Sequence, residues 1–188
     1  KGMERYMKSK FTFYGIKSPL RRELQKPFLR KENLPELNDL DEHIRALWAD
    51  EHRECQYFAI DLLYKYKSKV GKAYINLYEE LIFHKSWWDT VDLIASTLIG
   101  ELFQRYPELI DEKADAWIAS DHMWLQRSAI IFQLKYKEKT DFALLTKYIQ
   151  QTAHSKEFFV QKAIGWALRQ HSKHDSEAVK EFLETQKL

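Results

Sequence analysis

The chain has 188 residues, of which 45% are apolar and 31% are charged, and its formal net charge is +2. This composition excludes an intrinsically disordered chain, and no apolar run approaches the roughly 20 residues that cross a bilayer, so we expect no membrane partner. With only 5 Gly and 4 Pro the chain has few turn residues for a many-stranded β protein, and an all-α fold is expected.

Cys55 is the only cysteine, which excludes an internal disulfide bond. The absence of disulfides is typical of a reducing compartment, and we expect a cytoplasmic location. His171 and His174 are three residues apart, but no further Cys or His completes a ligand set. The sequence also has no glycine-rich phosphate loop. We therefore expect neither a metal nor another cofactor.

The first forty residues are predicted to contain two short helices. One spans residues 2–12, and the second begins at Ser18-Pro19, where proline takes the first helical position. A loop around Gly15 separates the two, and Asn33-Leu34-Pro35 breaks the chain again. From about Leu40 onward the helical periodicity continues with short breaks.

The stretch from Ser86 to Ala95 is predicted to open a helix. Ser86 lies three residues before Asp89, which is the spacing of a reciprocal cap. Trp88 and Asp92 are four residues apart and therefore lie on one helix face. Because Asp92 is too deep in the helix for capping and lies beside an aromatic face, it is a candidate functional residue.

The sequence repeats itself with a period of 35 residues. The segment 54–60 resembles the segment 124–130, and half of that offset of 70 residues reaches 91–94. One helix pair per repeat predicts an α-solenoid in which each pair buries a face against its neighbours. Equivalent positions then form a row, which contains Tyr57, Asp92, Arg127 and Lys162, preceded by Gln56, Val91, Gln126 and Gln161.

The row predicts a groove that contains further candidate residues. Trp166 and Arg169 follow Lys162 by four and seven residues and extend the same helix face. A tryptophan taken singly is more often a core residue, and Trp87 is the better structural candidate beside Trp88. Asp92 is equally well explained by an ion pair with the arginine of the next repeat, so both interpretations stay open.

A groove of this composition suits nucleic acid. Arginine and lysine in a row bind a phosphodiester backbone, and tryptophan faces bind a cation or a base by π contact. A carboxylate among them repels DNA, unless positive charge develops in the reaction, as in cleavage of an N-glycosidic bond. The alternative is a non-catalytic helical-repeat scaffold that binds protein or DNA.

Five stretches closely resemble the AlkD-like family of bacterial DNA-alkylation-repair glycosylases: residues 5–8, 13–22, 85–92, 124–129 and 158–169. The resemblance covers essentially the whole chain, with the motifs in matching order. It implies one domain, residues 1–188, folded as a curved α-solenoid of HEAT-like repeats with a concave groove for duplex DNA. Since family members carry more residues at both ends, it also implies a chain trimmed at both termini.

The resemblance further implies a monofunctional, metal-free N-glycosylase. Its substrates would be cationic N3- and N7-alkylated purines, such as 3-methyladenine and 7-methylguanine, in double-stranded DNA. The family's catalytic carboxylate falls on Asp92, and its two lesion-side indoles fall on Trp88 and Trp166. Its other contacts and the row residues give the predicted DNA-binding set, which is Tyr6, Tyr57, Arg127, Lys162 and Arg169. We expect a monomer.

Overall fold

The fold is that of a computed structural model, which describes residues 2–185. The regular secondary structure of these residues is helical, apart from one isolated bridge between Thr12 and His52. The predicted all-α class of helical repeats is confirmed. None of the described helices is long and apolar enough to cross a bilayer. The chain divides into two compact units, one ending at Gly71 and one beginning at Lys72. The single domain, the curvature and the concave groove stay predictions.

The first unit contains the first four α-helices of the chain. Its α-helices are α1 (Gly2–Tyr6), α2 (Ser18–Gln25), α3 (Leu40–Ala49) and α4 (Arg53–Tyr66), with short 3₁₀ turns at Lys26–Leu29 and Lys31–Asn33. The predicted helix at residues 2–12 is wrong in length, because Lys8 and Ser9 have φ angles of 56° and 55°. Successive residues in this left-handed region end a right-handed helix. The core of the unit forms where α3 packs on α4.

The second unit contains the remaining helices. They are α5 (Tyr74–Phe83), α6 (Trp88–Leu93), α7 (Gly100–Arg105), α8 (Asp115–Ala119), α9 (Met123–Ile131), α10 (Phe142–Thr152), α11 (Phe158–His171) and α12 (Ser176–Thr185). A π-helical turn, Ile94–Ile99, joins α6 to α7, and a second one, Ile110–Ala114, leads into α8. Large apolar side chains from these elements are fully buried and form the core, among them Trp117, Phe103 and Phe132.

Five helices begin at one point of the 35-residue period. Their first residues are Ser18, Arg53, Trp88, Met123 and Phe158. The residue before each of them has an extended backbone, which sets the direction in which the helix starts. The predicted period is confirmed. It also reaches one repeat further toward the N terminus than the sequence indicated, since α2 is the first member of the series.

A glutamine side chain fixes the loop between the two helices in three of these repeats. Each glutamine amide nitrogen donates to the carbonyl oxygen six residues before it, at 2.6–2.8 Å, in the pairs Gln56–Asp50, Gln126–Ser120 and Gln161–Ser155. The same contact thus satisfies an equivalent loop carbonyl in each repeat. Val91 occupies this position before Asp92, and its side chain has no donor.

The predicted cap between Ser86 and Asp89 is wrong. α6 begins at Trp88, and no side chain caps it from the preceding position. The Ser86 hydroxyl donates instead to the carbonyl oxygens of Ile82, at 2.5 Å, and Phe83, at 3.0 Å. These are the last carbonyls of α5, which lack partners inside the helix. Ser86 therefore binds the carbonyl oxygens at the end of α5 as the amide of Gln56 binds those of Leu47 and Trp48 near the end of α3.

Candidate functional site

Asp92 and Arg127 form a bidentate ion pair between α6 and α9. Nε of Arg127 donates to Oδ1 of Asp92 at 2.7 Å, and Nη2 donates to Oδ2 at 2.9 Å. Their side chains are 15% and 5% exposed, respectively. The ion pair that the sequence left open is present, and it fixes the orientation of the carboxylate because both of its oxygens are bound.

Arg127 is bound from a third helix as well. Its Nη1 donates to the carbonyl oxygen of Phe159 on α11 at 2.6 Å, and its Cζ lies 6.0 Å from the ring centroid of Trp166. Arg127 is therefore buried, whereas Lys162 at the equivalent position of the next repeat is exposed. The physical reason is that a carboxylate and a carbonyl of neighbouring helices compensate its charge.

The pKa of the Asp92 carboxyl reflects both its burial and its ion pair with Arg127. Burial raises the pKa of the Asp92 carboxyl above its ordinary value, because the loss of hydration outweighs the hydrogen bonds and the positive charge of Arg127, which lower it. The negative charge of Asp89, one turn earlier on α6, adds to the rise. Asp92 therefore takes up a proton at a higher pH than an exposed aspartate.

An aromatic cluster lies next to this pair. The rings of Trp87 and Trp124 are 5.7 Å apart, and Phe159 packs against both, with centroid distances of 5.1 Å and 4.8 Å. Trp87 thus has the structural surroundings that the sequence indicated. The cluster holds Phe159 in place, and with it the carbonyl that binds Arg127.

The two predicted lesion-side tryptophans are partly exposed. Trp88 is the first residue of α6 and lies one turn before Asp92. Trp166 is on α11, beside the guanidinium of Arg127. The structure therefore joins Asp92 to Arg127 and places Trp166 beside Arg127. Trp88 shares the helix face of Asp92.

One face of α11 is polar, aromatic and exposed. It carries Phe158, Lys162, Gly165, Trp166 and Arg169, which recur at helical spacing. Phe158 is 62% exposed, and Nζ of Lys162 lies 5.4 Å from its ring centroid. A Cβ added at Gly165 would meet no atom within 4 Å. This face offers an open surface, and the glycine leaves it flat near its centre.

Sequence reasoning missed Phe158 and Phe159 as site residues. The sequence does contain a signal for Phe158. It lies four residues before Lys162, and it is the first residue of α11, as Trp88 is the first residue of α6. The signal for Phe159 was weaker, since its contribution to the pair comes from a backbone carbonyl. No side-chain pattern reports such a contact.

Two predicted residues belong to the first unit. Tyr6 lies on α1 and is 68% exposed. Tyr57 lies on α4, where Cζ of Arg21 is 5.2 Å from its ring centroid. Lys162 and Arg169 are exposed in the second unit. The DNA contacts assigned to these four side chains stay predictions.

No group of His, Cys, Asp and Glu side chains within residues 2–185 is arranged to bind a metal ion. His171 is buried and stacks on Phe142 with a centroid distance of 4.3 Å. Burial lowers the pKa of His171 below its ordinary value. This histidine is therefore a core residue of the second unit.

A family model of DNA alkylation repair enzymes matches residues 1–188. The chain belongs to this family. A solved structure described as a predicted DNA alkylation repair enzyme from Enterococcus faecalis is similar to this chain, with 33% sequence identity and a TM-score of 0.91. The similarity covers 100% of this chain and 87% of that one. A search of curated proteins gives no match.

Membership in the DNA alkylation repair family implies that the substrate of this chain is DNA. The family relationship supports a role in DNA repair and the identification of the chain as an enzyme. In a DNA alkylation repair enzyme, the Asp92–Arg127 pair and the face of α11 provide a fixed negative charge beside aromatic and basic side chains. Exposed basic and aromatic side chains of this kind are suited to the anionic backbone and the bases of a nucleic acid.

Proposed function

We propose that this chain is a monofunctional DNA N-glycosylase. It hydrolyses the N-glycosidic bond of cationic N3- and N7-alkylated purines, such as 3-methyladenine and 7-methylguanine, in double-stranded DNA and leaves an abasic site. It acts as a cytoplasmic monomer without a metal or another cofactor. The observation that carries the proposal is the Asp92 carboxylate, which is oriented at both oxygens by buried Arg127 beside an aromatic face.

The reaction requires stabilisation of positive charge at the sugar. As the C1′–N bond breaks, its electron pair leaves with the purine, which becomes neutral, and the sugar becomes oxocarbenium-like. The negative charge of Asp92 stabilises that cation and positions the attacking water. The water oxygen bonds to C1′ and loses a proton to the solvent. Because the alkylated base is already cationic, no general acid is needed to protonate the leaving group.

Arg127 is a positioning residue in this mechanism. Three of its five N–H groups are bound, two by Asp92 and one by Phe159. They hold the carboxylate in one orientation before substrate arrives, so little reorganisation is needed when charge develops. The predicted DNA contact of Arg127 would use one of its remaining N–H groups.

Trp88 and Trp166 contact the lesion nucleotide in this proposal. An indole face attracts a cation by about 0.5–2 kcal/mol, the larger value applying where water is excluded. Both indoles are only partly buried, so each retains surface for a ligand. A cationic base gains from these contacts and a neutral base gains less, which favours the proposed lesions.

The test is the release of free base from methylated duplex DNA. The protein is mixed in excess with duplex containing 7-methylguanine, and free 7-methylguanine is separated by chromatography and quantified over time. A matched duplex with a neutral alkylated purine should release little, since that base needs protonation to leave. Binding of the methylated duplex without any release of base would instead identify a non-catalytic scaffold.

Gly165→Ala tests whether DNA approaches the face of α11. The added methyl group meets no atom of the protein, so the free energy of unfolding should rise by about 0.5–1 kcal/mol from better helix propensity. DNA affinity should fall, because the methyl group stands where the backbone of α11 is open beside Trp166. Thermal unfolding and a binding titration measure the two effects. Gly71→Ala, which also adds a methyl group in open space, is the control. Equal DNA affinity of Gly165→Ala and the parent would contradict close approach.

A further inference from the structure

The first repeat of the series has basic residues at positions equivalent to the site. α2 begins at Ser18, as α6 begins at Trp88 and α11 at Phe158. By this register Arg22 occupies the position of Asp92 and Lys162 in their repeats, and Lys26 occupies that of Trp166. We propose that Arg22 and Lys26 form a phosphate-binding site for the backbone of duplex DNA, additional to the predicted DNA-binding set.

The two side chains are available for an external anion. Arg22 and Lys26 are exposed, and neither is within ion-pair distance of a carboxylate of residues 2–185. Arg22 lies on α2, and Lys26 directly follows the last residue of α2 with a helical backbone, so the two side chains extend from the same side. Two adjacent, uncompensated cations on a helix are suited to neighbouring phosphates.

The neighbouring residue Arg21, by contrast, has a structural role, because its side chain is bound within the protein. Nη1 of Arg21 donates to Oδ2 of Asp61 at 2.7 Å and to Oε1 of Gln25 at 2.8 Å, and Gln25 itself donates to Asp61 at 2.6 Å. This network attaches α2 to α4 through the side of α2 that bears Arg21 and Gln25. Arg22 is 100° further round the helix and therefore lies outside the network.

The charge distribution of the chain points to the same segment. Residues 2–31 contain 9 Lys and Arg against 2 Glu, whereas residues 32–188 contain 20 Lys and Arg against 26 Asp and Glu. The net charge of +2 therefore conceals a strongly basic N-terminal segment. Such asymmetry is typical of a chain that binds a polyanion, and the polyanion on which this family acts is DNA.

The proposed site recognises phosphate and carries no information about the lesion. Cations on phosphates contribute affinity and position without reading a base. The site should therefore bind undamaged duplex as well as damaged duplex. The inference rests on the DNA partner of the proposed function and is independent of the glycosylase chemistry at Asp92.

The experiment compares two double variants of the full chain on undamaged duplex DNA. Arg22→Ala with Lys26→Ala removes the proposed site. Lys72→Ala with Lys139→Ala removes two other exposed lysines, which lie outside the helices that begin the repeat series, and is the control for net charge. The affinity is measured at several salt concentrations, and circular dichroism checks the fold of each variant. Single-turnover release of 7-methylguanine at saturating protein is measured in parallel.

The slope of log K against log salt should fall by about 2 for the Arg22/Lys26 variant, since each lost phosphate contact contributes roughly 0.9. Its affinity should fall about tenfold or more at low salt, while the control keeps the slope of the parent. A parental slope in the Arg22/Lys26 variant, or an equal fall in both variants, would overturn the proposal. The parent's own release of 7-methylguanine tests the chemistry at Asp92, so a failure of the glycosylase proposal is read separately from the salt slopes on undamaged duplex.

Discussion

Asp92→Asn is expected to release 7-methylguanine at least about 100-fold more slowly than the parent under single-turnover conditions. The substitution keeps the size and shape of the side chain and removes its negative charge, and a lost charge-stabilising group typically costs 10²–10³ in rate. Affinity for duplex with an abasic-site analogue should persist, because Asp92 does not attract phosphates. The release of free base and the binding titration measure the two quantities on the same preparation.

Asp89→Asn is the matched control for this variant. Asp89 lies in the first turn of the same helix and carries the same charge, but Arg127 does not bind it. Its release of base should stay near the parental rate. Because Asp92→Asn leaves Arg127 buried with a weaker partner, circular dichroism has to show that the variant is folded. Release of base by folded Asp92→Asn at the parental rate would exclude Asp92 as the catalytic carboxylate.

Arg127→Gln is expected to lower the free energy of unfolding by about 3–5 kcal/mol, because it leaves the Asp92 carboxylate buried without its opposite charge. It also removes three hydrogen bonds that join α9 to α6 and α11. Arg127→Lys keeps the charge but loses the planar two-point geometry, and an intermediate loss is expected. Chemical denaturation measures both. A loss below 1 kcal/mol for Arg127→Gln would contradict a structural role of the pair.

The same variant should shift the pH dependence of base release. The catalytic form of Asp92 is ionised, so release falls as the pH decreases through the pKa of Asp92, which burial places above its ordinary value. Arg127 lowers that pKa by its hydrogen bonds and its charge, and its removal raises the pKa further. The acid limb of the rate profile should therefore move to higher pH in Arg127→Gln. If the acid limb of Arg127→Gln lies at the same pH as that of the parent, a group other than Asp92 controls the rate.

Linkage gives these pKa shifts a consequence for stability. Because the folded state binds the Asp92 proton more tightly than the unfolded chain does, the contribution of this group to stability is largest below the unfolded pKa, about 3.9. It decreases as the pH rises through the folded pKa. The decrease should be larger in Arg127→Gln than in the parent, since the shift is larger there.

Periodicity in the sequence predicted the repeat and the helix face of Asp92, because both depend on spacing along one chain. The partners of Arg127 were not predictable to the same degree. The ion pair with Asp92 was one of two open interpretations, and the contact with the Phe159 carbonyl has no side-chain signature. Local pattern also failed at Ser86, whose spacing to Asp89 fits a cap but whose hydroxyl serves the carbonyls at the end of α5.

The first repeat escaped detection for a definable reason. The motif that revealed the period contains a glutamine just before the row residue, and Arg21 stands at that position in α2. The side chain there binds Asp61 in place of a loop carbonyl. Because Arg21 replaces the glutamine, the motif did not reveal α2, although Ser18 keeps the 35-residue spacing of the other four helix starts.

The glutamine contacts have a consequence for anyone building longer proteins from this one. A segment such as the one containing Ser120 and Gln126 includes both the loop carbonyl and the amide that binds it. Each copy of this segment would therefore carry its own loop contact. The segment that contains Val91 lacks this hydrogen bond, and the Ser86 hydroxyl binds a carbonyl oxygen at the end of α5 instead. Duplicating the Val91 segment would add further copies of Asp92, but those copies would lack the glutamine contact that the other repeats share.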